Sequence, residues 1–231
     1  MRVLKKASGY FTPAEKLLWG ASVGLLLASY GVFGGQGAAN LAASLVGVTS
    51  LIFCAKGNPF GQVLMILFST VYGMITLEFA YYGECITYVG MTLPMAVLSL
   101  ISWLKNPYKG QRSQVKVGHV GKKEGVFAVL LTAAVTAVFY RVLAALGTAN
   151  LFPSTLSVAT SFLAAYLSFR RDARLCLAYG ANDVVLVVLW VLAALKDKSC
   201  SSVAVCFAVF LANDLYGYYS WRRMEKRQAA G

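Results

Sequence analysis

Eight apolar stretches, each roughly the ~20 residues that a helix needs to cross a bilayer, follow one another along a chain of 231 residues. They run over Glu15–Gly34, Ala38–Ala55, Phe60–Tyr81, Cys85–Leu104, Gly125–Leu146, Leu151–Phe169, Leu175–Leu195 and Ser201–Trp221. In hydrocarbon every backbone N–H and C=O needs a partner within the protein, and only helices and closed barrels supply one. The alternating pattern of a barrel strand is missing, so the fold class is all-α integral membrane with eight transmembrane helices. Only 13% of residues are charged, about half the ~25% of a soluble domain, and mean hydropathy is +0.65. The spans use up nearly the whole chain and leave no soluble domain. Breaks between them carry turn chemistry: Gly34-Gly35, Gly57-Asn58-Pro59, Tyr82-Gly83, Asn106-Pro107, Gly147 and Pro153. Pro94 falls inside the fourth span, where it reads as a kink.

The net charge of +12 would suggest nucleic acid if it formed a patch, but it is distributed by span. One set of loops carries Arg2, Lys5, Lys6 and Lys16, then Lys56, then Lys105, Lys109, Arg112, Lys116, Lys122 and Lys123, then Arg170, Arg171 and Arg174, and finally Arg222, Arg223, Lys226 and Arg227. The other set carries only Lys196 and Lys198, with Glu78 and Glu84 at its second loop. This alternation follows the positive-inside rule. It places both termini in the cytoplasm, supports the count of eight, and excludes a nucleic-acid partner. Arg141 lies in the outer half of the fifth span and reads as a side chain snorkelling to the surface. The basic N-terminus before an apolar run looks like a secretory signal. The run extends to about Gly34 without a convincing A-x-A site, so it is read as a retained span.

The organisation is repetitive. Spans two to four and six to eight form two triplets, and each triplet ends in Trp followed by basic residues: "ISWLKN" at Ile101–Asn106 and "YSWRRM" at Tyr219–Met224. A single linking span lets the second triplet run in the same direction as the first, which predicts parallel repeats about an axis along the membrane normal. The expected organisation is an extra N-terminal helix at 1–36, a first three-helix bundle at 37–106, a basic cytoplasmic loop and linker helix at 107–147, and a second bundle with its tail at 148–231.

Two short stretches carry the chemistry. "YGANDVVLVVLW" and "FLANDLYGYYSW" both read A-N-D-x6-W, with Asn182, Asp183 and Trp190 in one and Asn213, Asp214 and Trp221 in the other. The two acids lie near the middle of neighbouring antiparallel spans, so they share a depth. A carboxylate there costs at least ~2.5–3.5 kcal/mol on insertion scales and needs a partner or a wet cavity. Seven residues are nearly two turns, so each Asp shares a face with its Trp, while each Asn projects about 100° away. Four polar groups on adjacent helices fit a polar site, although Asn and Asp also fasten membrane helices together. Trp221 beside Arg222 reads as an interfacial belt residue. Trp190 is either a belt residue or an aromatic wall. Tyr216 joins the candidates in the last span, as do Gln62, Tyr72 and Glu78 in the third and Tyr88 and Thr92 in the fourth.

Several chemistries find no residues. The one histidine is His119 in the basic loop, and no intramembrane His or Cys cluster has metal-ligand spacing. There is no Walker A sequence and no G-x-S-x-G elbow. An aspartyl protease dyad is the enzymatic rival, but presenilin-like proteases carry G-x-G-D and P-A-L, which do not occur here. The chain is therefore expected to be no enzyme and to need no cofactor. A non-transporting scaffold or receptor is the remaining rival. The five cysteines lack C-x-x-C spacing and read as small packing residues, with a Cys85–Cys200 disulfide left open.

"GNPFGQVLM" (Gly57–Met65), "FAYYGE" (Phe79–Glu84), "SWLKNPYKG" (Ser102–Gly110) and "LANDLYGYYSWRRM" (Leu211–Met224) resemble the PnuC family of bacterial vitamin transporters, its Gram-positive branch most. The resemblance covers about Glu15 to Gln228. It implies two parallel three-helix bundles joined by one helix, like the sugar-transporting SWEET proteins, and an extra first helix. It implies facilitated diffusion of nicotinamide riboside across the bacterial inner membrane, with trapping by a cytoplasmic kinase. Related members carry thiamine or riboflavin. By position it carries Asn182 and Asn213 over as site amides. Where Gram-negative members have an Asn and aromatic cluster, this chain reads "ITYVGMTLPMAV". A cationic nucleoside suits carboxylates, amides and aromatic faces, whereas a phosphorylated one would need basic groups. The expected partners are a small vitamin and the lipid bilayer. A homo-oligomer is left open.

Overall fold

The computed structural model describes residues 9–34, 37–78, 82–148 and 150–231. Arg2, Lys5, Lys6 and the Phe79–Tyr81 part of the segment "FAYYGE" lie outside the described residues, as do the side chains of Glu78 and Glu84. The helices are α1 (Pro13–Phe33), α2 (Ala38–Ala55), α3 (Phe60–Glu78), α4 (Tyr82–Thr87), α5 (Leu93–Lys105), α6 (Lys122–Ala145), α7 (Leu151–Phe169), α8 (Leu175–Ala194) and α9 (Ser201–Ala229). A π turn over Tyr88–Thr92 joins α4 to α5. Among the described residues, seven helical segments are long and apolar enough to cross a membrane by length and composition, with α4, the π turn and α5 contributing one of them. The apolar part of α3, Phe60–Met74, is shorter.

Local chemistry explains the boundaries. Thr12 and Glu15 form a reciprocal capping box and Pro13 occupies the first turn, so α1 starts where its free N–H groups are satisfied. Pro94 has no N–H and its ring crowds the carbonyl four residues back. The wider π turn lies directly before it, and the expected kink takes that form. The basic loop is not irregular throughout. Pro107–Tyr108 (β1) pairs antiparallel with Gln111–Val115 (β2). Lys109 and Gly110 both take positive φ, 49° and 76°, the two-residue turn that matches strand twist. α9 runs beyond the expected end at Trp221 because its tail packs on this loop. Gln228 donates to the Val115 carbonyl at 3.0 Å and accepts from the Val117 N–H at 2.8 Å.

The turns after α2 and α7 are built alike. The Gly57 and Asn58 N–H groups bond back to the Cys54 and Phe53 carbonyls at 2.9 and 3.0 Å. The Arg171 and Asp172 N–H groups bond back to the Ser168 and Leu167 carbonyls, both at 3.0 Å. Gly57 and Arg171 both take positive φ, 64° and 58°. Asn58 accepts from the N–H two residues on at 2.9 Å, and Asp172 does the same at 2.9 Å. The basic loop then docks on both turns with one kind of bond: the Val115 N–H reaches the Gly57 carbonyl, and the Gly118 N–H reaches the Arg171 carbonyl, each at 2.9 Å. The segments rich in Lys and Arg therefore gather at one end of the bundle, as the charge pattern anticipates.

Gly118 has no room for a side chain, since a Cβ there would lie 2.2 Å from the Arg170 carbonyl oxygen. Gly118→Ala is expected to lift the loop off this turn, at a cost of about 1–3 kcal/mol. Limited trypsin digestion reads this as faster cleavage at Lys116 and Lys122. Unchanged cleavage would mean that the docking is unimportant.

The two tryptophans that close the triplets cross over. Trp103 on α5 donates to the Ser168 carbonyl near the end of α7 at 2.8 Å. Trp221 on α9 donates to the Cys54 carbonyl near the end of α2 at 2.9 Å. Both rings are fully buried, with centroids 5.5 Å apart. The belt reading of Trp221 is thus corrected. Its indole has a partner inside the protein and the ring meets Trp103, because α9 continues for two turns past it and the docked loop covers that end. Arg141 is exposed, as expected of a snorkelling side chain. None of the five cysteines is joined in a disulfide, so Cys85 and Cys200 do not pair.

α1 lies outside the two triplets and is fastened to both. Trp19 donates to Thr49 on α2 at 3.1 Å, and Lys56 after α2 meets Glu15 at 3.0 Å. On α9, Asn213 donates to Ser22 at 2.9 Å and Tyr216 donates to Glu15 at 3.0 Å.

Candidate functional site

The cavity has a volume of about 100 Å³ and lies among α3, the π turn, α7, α8 and α9. Its walls are mostly aromatic and aliphatic: Phe68, Tyr88, Tyr179, Trp190, Phe207, Phe210, Leu51, Leu186 and Leu189. Its polar groups are Asn182, Asp183 and Asp214, with hydroxyls from Thr87, Thr92, Thr148, Ser154, Ser157 and Ser161. It reaches the α6–α7 connection through Leu143, Thr148 and Ser154. On the other side the buried cluster of Trp103, Trp221, Cys54, Cys176, Leu167 and Leu175 fills the space toward the basic end. The volume is below the roughly 300–1,000 Å³ of drug-sized ligand sites, so a ligand of nucleoside size requires the walls to part.

The helical repeat assembles these groups. Tyr179, Asp183, Leu186 and Trp190 stand at steps of four, three and four along α8 and share one face. Phe207, Phe210 and Asp214 do the same on α9. The two aspartates stand on the adjacent helices α8 and α9, and both line the cavity. Both are 5% exposed, and Asp183 Oδ2 is buried without a hydrogen-bond partner. Asn182 is oriented by α7: Thr160 Oγ1 and Ser157 Oγ lie 2.8 and 3.1 Å from its amide oxygen, which leaves the NH2 group as the donor to offer.

Six of the expected site residues come together at this cavity: Asn182, Asp183, Trp190, Asp214, Tyr88 and Thr92. Trp190 is the aromatic wall, not a belt residue. Of the rest, four turn elsewhere, and the Glu78 side chain lies outside the described residues. Asn213 faces α1, where it donates to Ser22 and to the Val209 carbonyl, so the duplicated amide acts at this copy as a tie between helices. Tyr216 reaches Glu15. Gln62 donates to Ser168 Oγ at 3.2 Å, linking α3 to α7. Tyr72 stands one layer back, stacked on Phe68 at 5.6 Å and tilted against Tyr88 at 4.6 Å. Tyr179, Phe207, Phe210 and Phe68 were not among the candidates. Stepping back four and seven residues from each aspartate reaches the first three, and that is the signal that would have found them.

The family model described as "Nicotinamide mononucleotide transporter" matches residues 37–223. The chain is similar to the "Nicotinamide riboside transporter PnuC" of Neisseria mucosa, at 22% identity over 191 residues, covering 81% of this chain and 73% of the relative. It is also similar to the protein of the same name from Haemophilus influenzae, at 20% identity over 182 residues, covering 78% and 77%. The "Crystal structure of the Vitamin B3 transporter PnuC" superimposes with a TM-score of 0.81 at 21% identity, over 95% of each chain, and so shares the fold. With four-fifths of its length matched to the family model, and both curated relatives named as transporters, this multi-pass membrane chain belongs to the PnuC family.

Proposed function

We propose that the protein moves nicotinamide riboside into the cell by facilitated diffusion through eight spans. These form two parallel three-helix bundles, a linking helix and one extra helix, with both termini in the cytoplasm of a bacterium and phosphorylation trapping the cargo inside. The carrying observation is the sign of the charge in the cavity. Among the described residues its lining holds two carboxyl groups and no lysine, arginine or histidine. A phosphate needs cationic donors, so the lining suits the riboside and not the mononucleotide of the family's description. The riboside is a cation with an aromatic ring and hydroxyls. Asp183 and Asp214 meet the charge, the Asn182 amide meets a hydroxyl or the carboxamide, and Trp190 and Tyr88 offer faces for stacking and cation–π contact. The names of the two curated relatives point to the same cargo. The matched turns after α2 and α7 and the crossed tryptophan bonds support the parallel repeat. Transport then consists of the bundles rocking so that the Trp103–Trp221 end opens as the other closes.

Purified protein in liposomes tests the reading. Labelled nicotinamide riboside is expected to equilibrate without an ion gradient or nucleotide, while excess thiamine does not compete and the mononucleotide does not enter. Uptake blocked by thiamine would move the protein to another vitamin. Asn182→Ala is expected to cut uptake about tenfold, the effect of about 1.4 kcal/mol, at an unchanged amount of folded protein. Normal uptake would remove Asn182 from the site.

A further inference from the structure

The cavity's aromatic wall has a seat behind it. Gly47 on α2 is buried and stands outside the lining itself. A Cβ placed there would lie 2.6 Å from Cζ of Phe210 and 3.3 Å from Cδ2 of Phe68, and both of these rings line the cavity. Among the described glycines, no other would press so closely on a lining side chain. The Phe210 ring has little room to move sideways. Phe207 meets it edge to face with centroids 5.7 Å apart, and Phe68 does so at 6.1 Å. Phe68 is held in turn by Tyr72 at 5.6 Å and by Tyr88 at 5.9 Å. With α2 behind it and rings beside it, Phe210 can yield only into the cavity. A methyl group at residue 47 would therefore be felt as lost cavity, because a close-packed interior passes added volume on to the nearest space.

We propose that Gly47 is a specificity-determining residue, which sets the largest cargo the cavity admits by letting the Phe210 and Phe68 rings lie back against α2. This rests on the riboside reading above and deepens it. The cavity, at about 100 Å³, is already small for a nucleoside, so its walls must part to admit one. A ring pushed inward raises that cost, and the cost grows with the bulk of the ligand. A smaller cation with the same aromatic ring is spared. Alanine is the better helix former, so what Gly47→Ala loses is space and not the helix. Phe210→Leu removes the end of the ring that the new methyl would strike, and so returns the space.

Tryptophan fluorescence of the purified protein, to which Trp190 in the wall contributes, reads binding. The probes are nicotinamide riboside and N-methylnicotinamide, which keeps the charged ring and lacks the ribose. Gly47→Ala, checked for fold by circular dichroism, is expected to bind the riboside about tenfold more weakly, within the range for an overpacked site, and the small cation as well as wild type does. Gly47→Ala/Phe210→Leu is expected to recover the riboside, and it keeps the test readable where the single variant folds poorly. Both cations weakened alike, riboside affinity unchanged in Gly47→Ala, or no recovery in the double variant would overturn the size limit. Gly47 would then be a packing residue between α2 and α9, with the riboside still the cargo. Wild type that binds neither cation would overturn the cargo and the size limit together.

Discussion

Trp221→Ala is expected to lower the free energy of unfolding by about 3–5 kcal/mol, the range for a large aromatic removed from a packed core. The ring is fully buried, so nothing fills the gap, and the Cys54 carbonyl loses one of its two donors, keeping the Gly57 N–H. Trp221→Phe separates the two losses. It keeps most of the packing but removes the indole donor, at about 0.5–1.5 kcal/mol. Trp103→Ala should cost as much as its counterpart, because it leaves the Ser168 carbonyl likewise with only its local donor, the Arg171 N–H. The two alanine changes should not be additive, since the rings touch and losing one loosens the seat of the other. Denaturation in detergent measures all four proteins, with Tyr219→Ala as control because its side chain is 63% exposed. Trp221→Ala unfolding no more readily than that control would mean that the crossed bonds hold nothing.

Asp172→Ala is the second large effect, expected at about 2–4 kcal/mol. The carboxylate is buried between α7 and α8 and accepts four hydrogen bonds: from the Val120 N–H at 2.8 Å, the Arg174 N–H at 2.9 Å, and the Arg174 side chain at 2.8 and 2.7 Å. Arg174 is half exposed and can turn to water, so the cost falls on the two stranded backbone donors more than on a lost ion pair. The effect depends on pH. Burial alone would push the Asp172 carboxyl up, but the bonds from Arg174 and Val120 outweigh it and hold the carboxyl below the usual range. A carboxyl held low stabilises the fold fully above its unfolded value of about 4 and loses that contribution as pH falls through the folded value. The difference between wild type and Asp172→Ala should therefore be constant from pH 5 to 7 and shrink below about pH 4. A difference that grows on acidification would contradict this account.

The sequence told most of this fold because span length and basic-residue placement are imposed by the bilayer, not by tertiary detail. α2 and α7 have the bounds expected from the sequence. The hairpin in the basic loop was missed because its turn is Lys109-Gly110, a weaker signal than Asn-Gly or Asp-Gly. The extension of α9 was missed because Arg222–Gln228 is charged or polar except for Met224, and it is held by the loop, not by lipid. At the site, mid-span acids are costly enough to demand a purpose, so Asp183 and Asp214 stood out. The two asparagines looked equivalent in sequence and are not, since only contact with α7 or α1 distinguishes them. The duplicated turns were hidden for the opposite reason: Gly57-Asn58 and Arg171-Asp172 differ in letters but share backbone geometry.

The exchanged indole bonds also set an order of assembly. The Cys54 carbonyl is made early, near the end of the second helix to emerge, and its partner Trp221 is almost the last core residue to be synthesised. Until then that carbonyl has only its local bond from the Gly57 N–H, and the contact that joins the two ends of the chain is missing. A ribosome-stalled or truncated product ending before the final helix should thus remain unclosed and open to membrane proteases. The clasp closes only when both triplets are complete.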